Sequence, residues 1–230
     1  MSPEAVVLLS GGADSATCLA LAARREGLAC LAVSFDYGQA HAFELEAAGW
    51  VAAGLAAEHL IVRLEPRLFR GSALTGRGAI PAGRTPAEIG RDIPATYVPA
   101  RNLAFLSLAA ALAESEGAGQ VFIGVNALDC SGYPDCRPEF LAAFQAALER
   151  GTRAGAEGRA LRLRAPLAAL RKAEIFRLGA ELGVDYSRTV SCYRAGPRGE
   201  ACGRCDACLL RARGFAEAGQ IGRASCRERV

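Results

Sequence analysis

Several short stretches hold residue types whose spacing suits chemistry. Ser10-Gly11-Gly12-Ala13-Asp14-Ser15 follows the apolar run Val6–Leu9 and precedes the helix-like stretch Ala16–Leu21. Two adjacent glycines at the end of a buried strand let the backbone curl closely around an anion, and the N–H groups that open a helix face it. Ser10 and Ser15 add hydroxyls, and Asp14 suits a helix cap or a ligand to Mg²⁺. The stretch reads as a phosphate cradle without a Walker lysine. A plain strand-to-helix turn is the competing reading of Gly-Gly alone.

Phe35–His41, FDYGQAH, sets Asp36 and Tyr37 at the end of a second apolar run, the sheet edge at which nucleotide-binding α/β folds meet adenosine. His41 on spacing alone reads as a structural or solvated residue. Thr96–Asn102, TYVPARN, brings Arg101 and Asn102 to a helix start, where an arginine suits phosphate or carboxylate recognition. Gly124–Phe140 gathers Asn126, Asp129, Ser131, Tyr133, Asp135 and Arg137 in one loop. Such an acceptor-rich, partly aromatic set suits a guanine-like edge, which presents N–H donors and a ring to stack on. Cys192, Cys202, Cys205 and Cys208 have the spacing of a closed tetrahedral zinc site, preferred over a redox dithiol or an iron–sulfur cluster. Lys172 is the only lysine among 27 basic residues. A compact ammonium kept in so arginine-rich a chain points to a contact with phosphate, with chance survival the alternative.

These residues need a scaffold, and the hydrophobic pattern supplies one. Val6–Leu9, Cys30–Phe35, Leu60–Leu64, Val121–Val125 and Leu161–Ala165 read as short strands. Ala16–Glu26, His41–Ala57, Asn102–Glu116, Pro138–Arg150 and Arg171–Leu182 read as helices. Strands that are apolar throughout and alternate with helices predict a doubly wound, Rossmann-like parallel sheet covered on both faces. Pro66–Pro99, rich in Gly, Pro and Arg, is too long for an ordinary connection and reads as a mobile flap near the site.

Composition narrows the class. With 230 residues, 51% of them hydrophobic, one large domain with a small appendage is expected. A net charge of +3 without a basic block or arm argues against a dedicated nucleic-acid binder. No leader and no apolar run long enough to span a bilayer is evident, which predicts a soluble, cytoplasmic protein with no membrane partner. The nine cysteines then read as reduced thiols plus a metal site rather than disulfides.

The string SGGADS resembles the pyrophosphate loop of the ATP-pyrophosphatase (PP-loop) superfamily. With FDYGQAH, TYVPARN, GVNALDCSGYPDCRPEF, the KAEI around Lys172, and SCY followed by CGRCDAC, the chain from Val6 to about Gly219 is similar to the 7-cyano-7-deazaguanine synthase family of queuosine biosynthesis. The resemblance implies an ATP- and Mg²⁺-dependent carbon–nitrogen ligase acting on 7-carboxy-7-deazaguanine and ammonia through adenylated intermediates, with Zn²⁺ on the four cysteines. It also implies a homodimer and no direct nucleic-acid partner. Ser10, Gly11, Gly12, Asp14 and Ser15 match the nucleotide loop, joined by Asp36 and Tyr37. Asp14, Arg101 and Lys172 are the candidates for catalysis, and Asn102, Asp129, Ser131, Tyr133, Asp135 and Arg137 for the substrate. Residues 1–185 would form the nucleotide-binding domain, and residues 186–219 the zinc segment.

The chain departs from the family pattern at Ala40, where Arg is frequent, at Ala100, where Gly commonly precedes Arg-Asn, and at Cys130, where Tyr is usual. Residues 220–230 read as a foreign tail, because IGRASCRERV back-translates to a string resembling a sequencing adapter. Another adenylating enzyme of the same fold, such as a tRNA-thiolating or deazaguanine-transferring relative, stays open beside the first reading. A non-catalytic zinc module that binds nucleic acid is the third.

Overall fold

Ala5–Leu8 (β1) is apolar at every position because both of its faces are covered: Ala5 and Val7 enter one core, Val6 and Leu8 the other. β2 (Cys30–Asp36), β3 (Glu58–Arg63), β4 (Gln120–Phe122) and β5 (Arg162–Arg164) complete a five-stranded, wholly parallel sheet in the order β3-β2-β1-β4-β5. The chain reverses its direction of travel across the sheet between β1 and β4, so a crevice opens there beyond the carboxyl ends of the strands. The computed structural model describes residues 2–39, 43–76, 78–85, 88–89 and 92–220, with 130 and 131 described by backbone alone. His41, Ala40 and residues 221–230 therefore lie outside the described residues.

The helices are α1 (Ala13–Ala20), α2 (Phe43–Gly54), α3 (Arg101–Glu116), α4 (Ala127–Gly132), α5 (Pro138–Gly151), α6 (Arg153–Ala156), α7 (Lys172–Glu181) and α8 (Asp206–Glu217). One core joins the sheet to α1, α2, α7 and α8; the other joins it to α3 and α5. This is the doubly wound sandwich that the apolar strands predict. Phe215 of α8 stacks on Phe176 of α7 with ring centroids 3.8 Å apart, which fixes the C-terminal segment to the first core. No helix among the described residues is long and apolar enough to cross a membrane.

Several boundaries differ from the sequence reading. α1 starts at Ala13 rather than Ala16, directly out of the glycine pair, and passes into a π-helical turn at Leu21–Arg25. The stretch read as a loop after β4 is mostly helical. Asn126 accepts from the backbone N–H groups of Leu128 and Asp129, while the Asp129 carboxylate accepts from Asn126 N, a reciprocal cap that starts α4. A 3₁₀ turn, Pro134–Cys136, then leads into α5.

The segment read as a flap is anchored over its described parts. Phe69, Ser72, Ala73, Thr96 and Val98 are buried, and Ala73 N donates to Ala95 O at 2.8 Å, closing the ends of the segment on each other. Its middle is tied to the cysteine segment. Gly83 N donates to Arg204 O at 2.9 Å, Arg194 Nη2 to Ile80 O at 2.8 Å, and Arg84 forms an ion pair with the buried Asp206.

Candidate active site

The crevice at the switch point holds a cavity of ≈ 300 Å³. Its floor is the glycine loop. Gly11 has φ +79°, and a Cβ there would collide with the Glu44 carbonyl of α2, so this position requires glycine. Ser10 Oγ and Ser15 Oγ lie 3.0 Å apart, Gly12 N donates to Ser10 Oγ, and Ser15 Oγ donates to Gly12 O, which fixes the curl. Gly12 is the N-cap of α1 but has no side chain to cap it, so the first turn opens towards the cavity as a site for anionic charge.

Asp14, in that first turn, connects three elements. Its Oδ2 forms an ion pair with Lys172 Nζ of α7 and accepts from Asn126 Nδ2 at 3.0 Å. Asn126 Nδ2 also donates to Asp129 Oδ2 at 2.6 Å, so one buried amide holds two carboxylates. Burial pushes the Asp129 carboxyl up to about 6, against the pull of Lys172 and with the aid of Asp14. For Lys172 burial disfavours the ammonium, yet Asp14 and Asp129 outweigh it and hold the proton more tightly than usual. Asp14 Oδ1 is buried without a hydrogen-bond partner. An orphaned carboxylate oxygen beside an anion cradle fits a divalent cation, which Asp14 and Asp129 would hold.

Arg101 opens α3 and extends towards Tyr37, whose hydroxyl accepts from its Nη1 at 3.4 Å. Burial opposes its charge, but Tyr37, Tyr133 and Asp135 outweigh that and hold the guanidinium protonated. Asn102 lines the cavity, and its backbone N–H donates to Asp135 Oδ2 at 2.9 Å. Asp135 thus caps α3 from outside the helix, and neither it, Asp36 nor Arg137 lines the cavity. Phe35 and Tyr37 face inward from the end of β2, which turns Asp36, between them, to the opposite side; Arg137 is exposed at the N-cap of α5. Tyr133 lines the cavity opposite the phosphate loop, its hydroxyl 3.2 Å from Thr96 Oγ1. The Ser131 side chain lies outside the described residues.

The four cysteines converge. Cys192, Cys202, Cys205 and Cys208 place their sulfurs within 4.8 Å of one another, with Cys205 to Cys208 at 3.5 Å and Cys205 to Cys192 at 4.0 Å. Tetrahedral Zn–S bonds of about 2.3 Å require S···S separations of about 3.8 Å, so the set fits such an ion. Backbone N–H groups of Arg194 and Cys202 point at Cys192 Sγ, at 3.3 and 3.2 Å, and would offset thiolate charge. Ser191 and Tyr193, on either side of Cys192, line the cavity, as does Arg211 of α8.

A model of the family described as "Queuosine biosynthesis protein QueC" matches residues 4–219. The chain belongs to the QueC family. Among its relatives, the 7-cyano-7-deazaguanine synthase of Anaeromyxobacter dehalogenans is 59% identical over 94% of this chain and 92% of the relative. That of Stutzerimonas stutzeri is 57% identical over 94% and 95%, and that of Thiobacillus denitrificans 57% identical over 95% and 96%. The family match therefore runs from the glycine loop through the cysteine cluster.

This QueC-family cavity also contains residues that sequence reasoning missed. Glu44, Tyr193 and Arg211 line it. Tyr193 follows directly on a candidate metal ligand, a position that gave a hint. Glu44 lies at the start of a helix read as scaffold, and Arg211 in a helix that the sequence reading does not include, so neither carried a signal.

Proposed function

We propose that this chain is a 7-cyano-7-deazaguanine synthase, converting 7-carboxy-7-deazaguanine and ammonia to the nitrile with ATP. The observation that carries the reading is the meeting, in one cavity, of an uncapped helix N-terminus, the Lys172–Asp14–Asn126–Asp129 network and the Tyr133–Tyr193 wall. Anionic phosphates suit the first feature, and a donor-rich purine-like ring suits the acids and phenols.

A carboxylate is a poor electrophile, being anionic and without a leaving group. Adenylation supplies the leaving group, and ammonia displaces AMP to give the amide; a second adenylation, on the amide oxygen, allows its loss and leaves the nitrile. Ser10, Gly12 and Ser15 bind the nucleotide phosphates, Gly11 sets the curl of the loop, and Tyr37 adjoins the nucleoside. Lys172 and Arg101 offset charge on the transferring phosphoryl group. Mg²⁺ on Asp14 and Asp129 would shield the phosphates from one another. Asn102, Asp129 and Tyr133 orient the deazaguanine, and Asp135 positions Asn102. Zn²⁺ on the four cysteines would be structural, since a closed set of four thiolates leaves no position for water. Residues 1–185 serve as the nucleotide-binding unit and 186–219 as the metal segment of a cytoplasmic homodimer.

The test is direct. The full chain, given 7-carboxy-7-deazaguanine, ATP, Mg²⁺ and ammonium, should yield the nitrile by mass spectrometry, with AMP and pyrophosphate formed. ATP binding without amide or nitrile would transfer the reading to another adenylating enzyme of the same fold.

A further inference from the structure

The described carboxylates that line the cavity are those of Asp14, Glu44 and Asp129. Asp14 is engaged by Lys172 and Asn126, and Asp129 by the side chain and backbone of Asn126. Glu44 is different: among the described residues nothing hydrogen-bonds or ion-pairs with its carboxylate. Its position is nevertheless tightly set. It lies in the first turn of α2, and its own backbone carbonyl seats against Gly11 where a Cβ would collide, so the backbone that carries the acid packs against the glycine loop while the residue lines the cavity. We propose that Glu44 is a catalytic base that removes the proton from the nitrogen nucleophile as the amide forms. The proposal deepens the synthase reading and rests on it.

The lone pair of ammonia forms a C–N bond to the adenylated carbonyl carbon. The bond from that carbon to the bridging oxygen breaks, its electron pair leaving on AMP, and one N–H proton passes to the Glu44 carboxylate. The products are a neutral carboxamide, AMP and protonated Glu44, which returns its proton to solvent. Attack makes the nitrogen cationic, and a cationic nitrogen is readily expelled again, so taking its proton commits the intermediate forward.

The surroundings suit the task. Burial pushes the Glu44 carboxyl up to about 7, with Arg101 opposing. A base so poised is present in its accepting form near neutral pH yet holds a proton strongly enough to take it. The charged groups around the same cavity are Arg101 on α3, Asp14 on α1, Asp129 on α4, Lys172 on α7 and Arg211 on α8. Asp14 and Lys172 pair with each other, which leaves Glu44 free to exchange its proton.

Adenylation and nitrogen transfer can be read apart. Exchange of labelled pyrophosphate into ATP, with 7-carboxy-7-deazaguanine and no ammonium, reports adenylation alone; amide and nitrile formation report the rest. Glu44→Gln is expected to keep exchange within about two-fold of wild type and to lower the ammonia-dependent kcat by about 10²-fold or more. It should also remove the rise of the rate through neutral pH when rates are expressed per free ammonia. Glu44→Asp should recover part of kcat, and it serves as the test variant should the glutamine protein fail to fold. Equal losses in exchange and in amide formation, or an ammonia-dependent rate within three-fold of wild type, would overturn the role. Absence of exchange in the wild-type chain would instead bring down the synthase reading, and the base with it.

Discussion

Asp14 accepts from Lys172 and Asn126 through a single oxygen, and its other oxygen is buried without a hydrogen-bond partner. Three chain segments distant in sequence thus share one buried polar network, in which Asp14, Asn126, Asp129 and Lys172 hold one another in place. Glu44 stands outside the network, and its burial has a thermodynamic sign. Its carboxyl in the folded chain is raised from 4.5 to about 7, so the folded state binds the extra proton between those values and stability falls as pH rises through that window. Glu44→Gln removes the penalty. The variant should be more stable than wild type at pH 8 by about 1 kcal/mol or more, with the difference vanishing below about pH 4.5. Urea unfolding of both proteins at pH 5 and pH 8 checks this, and a difference of the same size at both values would contradict it.

At the scale of elements, the site depends on where helices begin. α3 starts from Ala100 at φ +53°, a left-handed conformation that costs an L-residue about 1–2 kcal/mol. Glycine adopts this conformation without that cost. Ala100→Gly should stabilise the chain by about 0.5–1 kcal/mol without moving Arg101 or Asn102, read as a higher midpoint in thermal unfolding with ATP affinity unchanged. Gly124, just past β4, behaves in the opposite way. A Cβ there would lie 3.0 Å from Ser15 Cα and 3.1 Å from Asp14 O, and neither backbone atom can give way cheaply. Gly124→Ala is expected to cost about 1–3 kcal/mol and to weaken ATP binding in calorimetry, because it pushes the start of α1 off the sheet. Gly119→Ala, with nothing within 4 Å of the added Cβ, is the neutral control.

Across the whole molecule, the cysteine segment is tied to the described parts of the long segment 66–99, and both contribute to the cavity wall, the latter through Leu74 and Thr96. Cys205 bridges to Ala82, and Arg84 reaches Asp206 at the start of α8, while Ser191 and Tyr193 carry the same structure into the cavity wall. A metal on the four thiolates would therefore hold both the tail and the part of the long segment tied to it. Removing it with a chelator should lower the thermal midpoint by several degrees and expose residues 66–99 to limited proteolysis, with both effects reversed by added Zn²⁺. An unchanged midpoint and digestion pattern would show that the cluster stabilises neither.

The sequence by itself determined the sandwich, the glycine loop, the cysteine set and the position of Lys172, because each is written locally: apolar runs of strand length, adjacent glycines, thiols at fixed spacing. It could not reveal that Asp135 caps α3 or that Asn126 links Asp14 to Asp129, since both contacts join segments brought together only by the crossover at the switch point. It read Asp36 and Arg137 alongside their neighbours, whereas strand alternation and the entry into α5 turn them away from the cavity. Glu44 and Arg211 became site residues only through packing. Local chemistry specifies the parts, and the long-range contacts of the folded chain decide which of them face the same space.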